Sequence, residues 1–180
     1  MYNCSPKYVY IIFNLLKKRG PVLVYSNYVD MEGLGIFKLY LQFFIFISFD
    51  KDLEVNKLNI SNINKFDKDY KYDNKRYMEF HGKIDKATRL KNKNIFNLSA
   101  NKYSKFIKII MISPAGAEGL NLRNVRQVHI LEPFWNEARI EQVIGRAIRQ
   151  CEHKDLPMKE RTVDVFRYKM VRKNQKETSD

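Results

Sequence analysis

Glycine, proline and cysteine are scarce in this chain of 180 residues, which has 7 Gly, 5 Pro and 2 Cys. So few glycines and prolines exclude a collagen-like chain and a flexible, linker-type chain. The two cysteines, Cys4 and Cys151, stand alone and lack the paired spacing of a cysteine-based zinc site. We therefore expect neither a disulfide scaffold nor a cysteine-bound metal, and a reducing compartment fits best.

Long apolar runs are missing as well. The longest, Leu39–Phe49, is interrupted by two polar residues and is far shorter than the roughly 20 residues of a membrane-spanning helix. The apolar stretch Tyr8–Leu16 is followed by three basic residues, where a signal peptide needs small residues at its cleavage site. We expect a soluble, intracellular protein without a membrane partner.

Acidic residues are outnumbered by basic ones, 20 Asp+Glu against 33 Lys+Arg, and the formal net charge is +13. Apolar residues make up 44% of the chain, which is enough for a hydrophobic core and excludes disorder of the whole chain. A strong basic excess favours a polyanionic partner, with nucleic acid first. A basic solvated surface without such a partner remains the alternative.

Strand-like and helix-like segments alternate along the chain. The predicted strands are Val22–Tyr25, Phe43–Phe49, Tyr77–Phe80, Ile107–Ile112, Gln127–Leu131 and Thr162–Tyr168. The predicted helices are Pro6–Lys18, Val29–Gln42, Asp85–Leu98 and Asn136–Gln150. Apolar strands that alternate with helices indicate an α/β fold, in which helices cover both faces of a mostly parallel central sheet. Ligands of such sheets bind at the loops that leave the carboxyl ends of the strands.

The segment from Asp50 to Arg76 differs from the rest of the chain in composition. It holds seven basic and six acidic residues and shows little periodicity. We interpret it as a polar insertion, a loop or partly disordered segment, within one domain that spans residues 1–180. Because the segment is nearly neutral, the net charge of +13 comes from the remainder of the chain.

The predicted helix Asn136–Gln150 is amphipathic. One side carries an apolar stripe formed by Ile140, Val143, Ile144, Ala147 and Ile148. The opposite side carries Arg139, Gln142, Arg146 and Arg149. These polar side chains fall within an arc of about 80° at 100° per residue. Guanidinium groups match phosphate oxygens in geometry and charge. The alternative is a solvated helix face on which Glu141 offsets part of the charge.

A loop rich in small residues, Ser113–Leu122, follows the predicted strand Ile107–Ile112. Gly116 and Gly119 in this loop would let the backbone approach a ligand closely, although most such loops are only tight turns. The loop lies where the parallel-sheet rule places ligands.

The segment Glu132–Asn136 follows the next predicted strand. Trp135 is the only tryptophan; it either packs under the following helix, as a lone tryptophan usually does, or stacks on a base. Asn136 is well placed to cap that helix. His81 at another strand end either touches a phosphate or has a structural role.

Two nucleotide-binding signatures are absent from the sequence. The chain has no G-x-x-x-x-G-K-[ST] phosphate loop, and no Asp-Glu-x-Asp/His segment that would hold magnesium. The arginine-bearing helix face therefore has no companion loop in this chain to surround a triphosphate. Half of a nucleotide site is present.

These segments together resemble the motifs of a known family. Ser113–Leu122 resembles helicase motif V, Gln142–Gln150 resembles motif VI, and Glu132–Asn136 resembles the segment between them. Val22–Tyr28 is similar to motif IV, and Phe80–Gly82 to the segment that follows it. Their order and spacing resemble the C-terminal RecA-like domain of superfamily 2 helicases. The resemblance is nearest to the Snf2-like branch and to the DNA-dependent ATPases of large cytoplasmic DNA viruses, such as the poxvirus nucleoside triphosphate phosphohydrolase I and the early-transcription-factor helicases.

The resemblance implies a three-layer RecA-like fold and a set of residue roles. Arg149 would be the arginine finger, with Arg146 as its companion on the γ-phosphate and Gln142 orienting the phosphate or a water. Gly119 and Glu118 would lie near the nucleotide and couple it to the track. Contacts with the sugar–phosphate backbone, which are mostly sequence-independent and salt-sensitive, are implied for Ser26, Asn27, His81, Gly82, Ser113, Pro114 and Asn121.

The chain departs from the family in lacking the first RecA-like domain, and the polar insertion is unusually long. ATP is the implied cofactor, with Mg supplied by a first RecA-like domain in the same chain or in a partner. DNA is favoured over RNA as the track, and viral transcription is the implied process, in the host cytoplasm or the virion. We expect the isolated chain not to hydrolyse ATP and to be a fragment of a larger helicase. A non-catalytic nucleic-acid-binding or interaction module with a helicase-like fold, and part of an RNA helicase, remain alternatives.

Overall fold

The computed structural model describes residues 5–50, 75–117, 120–149 and 152–170. Its strands are β1 (Val22–Tyr25), β2 (Ile47–Ser48), β3 (Arg76–Phe80), β4 (Ile109–Ile112), β5 (Gln127–Ile130) and β6 (Asp164–Arg167). Its α-helices are α1 (Pro6–Leu16), α2 (Ile36–Phe43), α3 (Lys86–Phe96), α4 (Pro114–Ala117) and α5 (Glu137–Ala147). A π-helical turn, Met31–Gly35, precedes α2, and two 3-10 turns cover Ser99–Asn101 and Met158–Glu160.

The six strands form one sheet in the order β2-β3-β4-β1-β5-β6. Every pair of neighbours is parallel. β1 lies in the middle, where Val22 is in register with Ile109 on one side and Gln127 on the other. Because helices cover both faces of a parallel sheet, the central strands are buried along their whole length. The predicted α/β fold with a parallel central sheet is confirmed.

Alternate residues of the strands pack against two different helical layers. Val22 and Val24 of β1 belong to the core shared with α1 and α2. Leu23 and Tyr25 belong to the opposite core, to which α3 and α5 contribute. This alternation follows from the two-residue period of a strand. The result is a three-layer structure that leaves both ends of the strands free for loops.

Helix α5 begins and packs as the sequence predicts but ends earlier. The Asn136 side chain caps it by accepting a hydrogen bond of 3.2 Å from the Arg139 backbone N–H, which confirms the predicted cap. Four of the five predicted apolar residues are buried. The helix ends at Ala147, and Ile148, with φ −109° and ψ 16°, is 45% exposed. The prediction that the helix continues to Gln150 and buries Ile148 is therefore wrong.

The predicted strand Phe43–Phe49 is also wrong over most of its length. Helix α2 runs through Phe43, and the Phe44 N–H still donates to the Tyr40 carbonyl at 3.1 Å. The chain then turns at Ile45, where φ is +65°. Only two residues remain for β2, because helix packing overrides the β-propensity of the aromatic run.

Several predictions fall on residues outside the described part of the chain. These are the two cysteines, Cys4 and Cys151, the end of motif VI at Gln150, the nucleotide-binding candidates Glu118 and Gly119, and residues 51–74 of the insertion. Arg76, which we assigned to the end of the insertion, is the first residue of β3. Among the helices of the described ranges, none has the length and apolar character needed to cross a membrane.

Candidate functional site

Six of the seven predicted nucleic-acid contact residues lie at one edge of the molecule, where the strands have their carboxyl ends. Ser26 and Asn27 follow β1, His81 and Gly82 follow β3, and Ser113 and Pro114 follow β4. The segment Glu132–Asn136 follows β5. Because β3, β4, β1 and β5 are consecutive neighbours in a parallel sheet, their loops form a continuous surface. We call this surface the carboxyl edge.

Two arginines converge on Leu120–Asn121, a segment of the loop between β4 and β5 that lies toward the amino ends of the strands, where Asn121 bonds to Asn97 at the end of α3. Arg146, which is half-buried on α5, donates from Nη1 to the Leu120 carbonyl at 3.4 Å. Arg149, which is exposed two residues beyond the helix, donates from Nη1 to the Asn121 Oδ1. Both guanidiniums therefore reach the same side of the molecule, and neither turns into the core. Within the described ranges, their recorded partners are neutral oxygens and not carboxylates.

The other members of the predicted polar stripe have different surroundings. Arg139 is exposed, and its guanidinium lies 5.6 Å from the centre of the Phe134 ring. Gln142 is exposed one turn before Arg146. Glu141 does not offset the charge of the stripe, as the alternative interpretation required, because it pairs with Arg167 of β6. Arg167 also binds Glu137, so the acidic side chains of α5 point to β6.

Trp135 does not pack under the following helix. Its side chain is 87% exposed, so the packing role that we favoured for it is wrong. The neighbouring Phe134 fills that role, because it is half-buried against the core that includes α5. The centres of the two rings lie 5.4 Å apart. A large aromatic face is thus presented to solvent at the carboxyl edge.

The turn after β1 is held by a carboxylate whose role the sequence analysis missed. Ser26 is fully buried, and its Oγ lies 2.9 Å from the Tyr28 carbonyl and 3.1 Å from Oε1 of Glu132. Oε2 of Glu132 accepts from the Asn27 N–H at 3.3 Å. Burial raises the pKa of Glu132, and the Ser26 hydrogen bond opposes that effect only in part. The sequence signal that could have identified Glu132 was its position as an acidic residue directly after a predicted buried strand.

A second polar cluster anchors the turn after β3. Nε2 of His81 lies 3.0 Å from Oε2 of Glu79, and Nζ of Lys38 lies 3.1 Å from Oε1 of the same carboxylate. Burial would raise the pKa of Glu79, but hydrogen bonds from His81 and Lys38 outweigh it, and the net shift is downward. His81 is only 4% exposed. Its side chain therefore supports this turn from below, and sequence reasoning did not find its partners Glu79 and Lys38.

The loops after β3 and β4 touch through a glycine. A Cβ on Gly116 would lie 2.0 Å from the Phe80 carbonyl oxygen, so no larger residue fits there. Gly116 thus serves the close approach of two segments of the protein itself. Ser113 beside it is buried, whereas Pro114 is half-buried and Gly82 and Asn121 are exposed. The structure therefore brings six of the candidate backbone-contact residues together at the carboxyl edge, some at the surface and some beneath it. Asn121 lies apart from them near the end of α3, where its carbonyl accepts from Asn97 Nδ2 at 2.9 Å.

The arginine side chains beside Leu120–Asn121 suit an anion better than a metal ion. Two guanidiniums with neutral partners keep their full charge available, which fits the γ-phosphate of a nucleotide such as ATP. Within the described ranges, no group of three or more His, Cys, Asp or Glu side chains is placed to hold a metal ion. The chemistry available here is therefore binding and charge stabilisation of phosphate groups.

Comparison with known proteins gives related sequences that are viral. The chain is 44% identical over 172 residues to "Putative ATP-dependent RNA helicase R350" of Acanthamoeba polyphaga mimivirus, a match that covers 96% of this chain and 19% of the relative. It is 36% identical over 184 residues to "Termination factor NPH-I homolog" of African swine fever virus, covering 92% of this chain and 26% of the relative. The chain thus spans about a fifth to a quarter of the length of these relatives.

A solved structure and a family profile agree with the fold. The C-terminal part of the Fun30 ATPase domain superposes with a TM-score of 0.58 at 18% identity, covering 89% of this chain and 40% of that one. At this low sequence identity, the structural similarity shows a common fold and nothing more. The profile described as "Helicase conserved C-terminal domain" matches residues 7–151. Since that match covers most of the sequence, the chain belongs to the helicase C-terminal domain family and has its RecA-like α/β fold.

Proposed function

We propose that residues 1–180, with the polar insertion at about 50–76, form the second motor domain of a nucleic-acid-dependent superfamily 2 ATPase. Arg149 acts as the arginine finger, Arg146 is its companion, and Gln142 orients the phosphate or a water. The observation that carries this proposal is the convergence of the two guanidiniums on Leu120–Asn121, both with neutral partners. Arg126, by contrast, is paired with the carboxylate of Glu160.

The proposed chemistry is stabilisation of charge on the phosphate. Bound ATP supplies the γ-phosphoryl group, with Mg held by a first RecA-like domain in the same chain or in a partner. A finger arginine that meets developing negative charge accelerates the reaction by roughly 10³–10⁵-fold in related phosphoryl-transfer enzymes. Arg149 lies beyond the end of α5, where its exposed side chain has room to move from Asn121 to a ligand. Gly119 and Glu118 complete the nucleotide-binding set in this proposal.

The carboxyl edge is also the proposed track for nucleic acid. The proposed backbone contacts are Ser26, Asn27, His81, Gly82, Ser113, Pro114 and Asn121. The buried side chains among them shape the turns from below, so contacts at those positions come from the backbone N–H groups. The exposed Trp135 adds a face on which a base stacks. The net charge of +13 supports a polyanionic partner. Viral transcription remains the proposed setting, because both relatives are viral and one is named a termination factor.

The finger assignment is tested in the complete enzyme. Arg149→Ala should abolish nucleic-acid-stimulated turnover, by roughly 10³-fold or more, and leave nucleic-acid affinity within about twofold. Arg123→Ala is the matched control, because this exposed arginine lies on the same loop but is paired with Glu152. Steady-state hydrolysis and fluorescence anisotropy with a labelled oligonucleotide measure the two effects. Turnover that survives Arg149→Ala would place the finger elsewhere.

The nature of the track is a separate question, for which we propose DNA. An RNA track is the second candidate, because the 44% identical relative is named an RNA helicase. Competition between DNA and RNA of one sequence, at one salt concentration, separates the two: we expect DNA to displace RNA. A third outcome is that nucleic-acid binding depends on salt but does not change when nucleotide is added, even with the first domain present. That outcome would favour a non-catalytic binding module.

A further inference from the structure

An exposed apolar surface covers part of the layer formed by α1 and α2. Tyr10, Phe13, Phe43 and Ile45 are 60%, 55%, 62% and 72% exposed. The half-buried ring of Phe44 joins them, with its centre 5.9 Å from that of Phe13 and 5.5 Å from that of Phe43. These five residues form a single surface, which we call the aromatic patch. Contiguous exposed apolar surface of this kind marks interaction sites in soluble proteins.

The aromatic patch lies away from the carboxyl edge. Phe43, Phe44 and Ile45 come at the end of α2, immediately before β2 begins at Ile47. Phe13 lies in the last turn of α1, which leads into the start of β1. The patch is therefore near the amino ends of the parallel strands, away from the nucleic-acid candidates at the carboxyl edge. It is also on the face of the sheet opposite α5, which carries Arg146 and leads to Arg149. Its occupant is consequently a different molecule from those ligands.

The backbone at Ile45 adds an independent observation. Its φ of +65° lies in the left-handed region, which a β-branched residue rarely adopts. The same side chain is the most exposed member of the patch. Glycine or asparagine would occupy this position at lower cost. Neither burial nor backbone geometry of the free domain favours isoleucine at this position.

Among the described residues of α1, α2 and the turn that follows α2, the charges are of one sign. Helices α1 and α2 contain no Asp or Glu, and residues 33–49 contain none either. Nζ of Lys17 lies 5.8 Å from the centre of the Tyr10 ring. Lys75 lies at the other side, where its carbonyl accepts from the Ile47 N–H at 2.8 Å. An apolar centre with a basic rim complements an acidic, amphipathic partner.

We propose that the aromatic patch docks an amphipathic helix of a partner protein, with an apolar stripe against the rings and carboxylates toward Lys17 and Lys75. Helices bind such surfaces through side chains at i, i+3, i+4 and i+7. A nucleic acid would need cations among the rings, but all five patch residues are uncharged. The protein partner is therefore favoured over a nucleic acid, and the site is independent of the ATPase assignment.

The test measures binding of two labelled helical peptides to the chain by fluorescence anisotropy. Both peptides, of about 16 residues, carry the same Leu stripe, flanked in one by Glu and in the other by Lys. The Glu peptide should bind at least about tenfold more tightly. Phe13→Ser with Phe43→Ser should weaken it by about tenfold or more. Met158→Ser, which alters a 78% exposed residue outside the patch, should leave binding unchanged.

Ile45→Asn separates docking from folding. It removes the exposed side chain and suits the left-handed backbone, so the melting temperature should rise while peptide affinity falls. Equal binding of the two peptides, or binding that the patch variants do not change, would overturn the proposal. A dimer that dissociates in the Phe13→Ser, Phe43→Ser variant would assign the patch to a second copy instead. Patch-dependent binding to phosphatidylserine vesicles in preference to the Glu peptide would assign it to a membrane.

Discussion

Charged residues of the candidate site differ in what binds them. Glu79 is held by His81 and Lys38, whereas Arg146 and Arg149 bind only neutral oxygens among the described residues. An ion pair fixes a side chain and uses its charge within the protein. An arginine bound to a neutral oxygen retains its charge for a ligand. The candidate site therefore combines fixed turns at the carboxyl edge with two available cations at the end of α5.

Two buried carboxylates at this edge should respond to pH in opposite directions. Burial raises the pKa of Glu132 above the ordinary 4.5, so its ionisation is unfavourable in the folded state. The favourable contribution of Glu132 to the free energy of unfolding is complete below pH 4.5. It is lost as pH rises through the pKa of the folded state. The pKa of Glu79 is lowered, so its contribution is present above pH 4.5 and is lost as pH falls through the folded pKa.

Thermal unfolding from about pH 4 to 7 of the Glu132→Gln and Glu79→Gln variants checks these signs. The melting temperature of Glu132→Gln, relative to the unmodified chain, should improve as pH rises, because glutamine cannot ionise. That of Glu79→Gln should worsen over the same range, because two hydrogen bonds to a carboxylate are lost. Each variant is the control for the other. If the relative melting temperatures of both variants changed in the same direction with pH, the assigned pKa shifts would be contradicted.

Among the connecting elements, the turn between β1 and α2 depends on one glycine. A Cβ on Gly33 would lie 2.1 Å from the Tyr28 carbonyl oxygen and 2.3 Å from Ser26 Oγ. Gly33→Ala should therefore displace the turn and destabilise the fold by about 1–3 kcal/mol. Gly145→Ala is the matched control, because nothing lies within 4 Å of its Cβ position in α5. Urea unfolding should show the control to be neutral or more stable by about 0.5–1 kcal/mol. If both substitutions changed the free energy of unfolding equally, the close approach at Gly33 would not determine the stability of the turn.

The early end of helix α5 releases Arg149 from the helical face. Were it to continue through Gln150, Arg149 would be one more residue on a rigid helical face. Because the helix ends at Ala147, Arg149 leaves the helical geometry and reaches Asn121 in the loop after β4. The same end point leaves Ile148 in solvent. The distribution of arginines is thus set by where the helix stops as well as by its periodicity.

At the scale of the whole molecule, the chain should bind nucleic acid without hydrolysing ATP. The sequence contains the arginines proposed for a nucleotide site but no phosphate loop and no Asp-Glu-x-Asp/His segment for magnesium. A hydrolysis assay on the isolated chain, with and without DNA, should show no turnover above background. The complete enzyme under the same conditions is the positive control. Brisk turnover by the isolated chain would refute the second-motor-domain assignment.

The sequence predicts elements well where a periodic apolar pattern is long. The stripe Ile140–Ala147 and the cap at Asn136 are both found in α5. Local patterns fail where two preferences compete. The aromatic run after Gln42 has β-propensity but completes a helix, and Trp135 is exposed because Phe134 occupies the position under α5. These outcomes depend on which neighbour fills the available space.

The sequence alone determined the α/β architecture, the edge that carries the polar residues and the resemblance to helicase motifs, because periodicity and motif spacing are local properties of a chain. Only the tertiary structure decided which side chains meet. Glu132 and Ser26 are 106 residues apart in the chain and hydrogen-bond at 3.1 Å. Arg149 meets Asn121 across 28 residues. Such pairs arise because segments that are distant in the chain pack side by side in the parallel α/β fold, and local pattern carries no record of that.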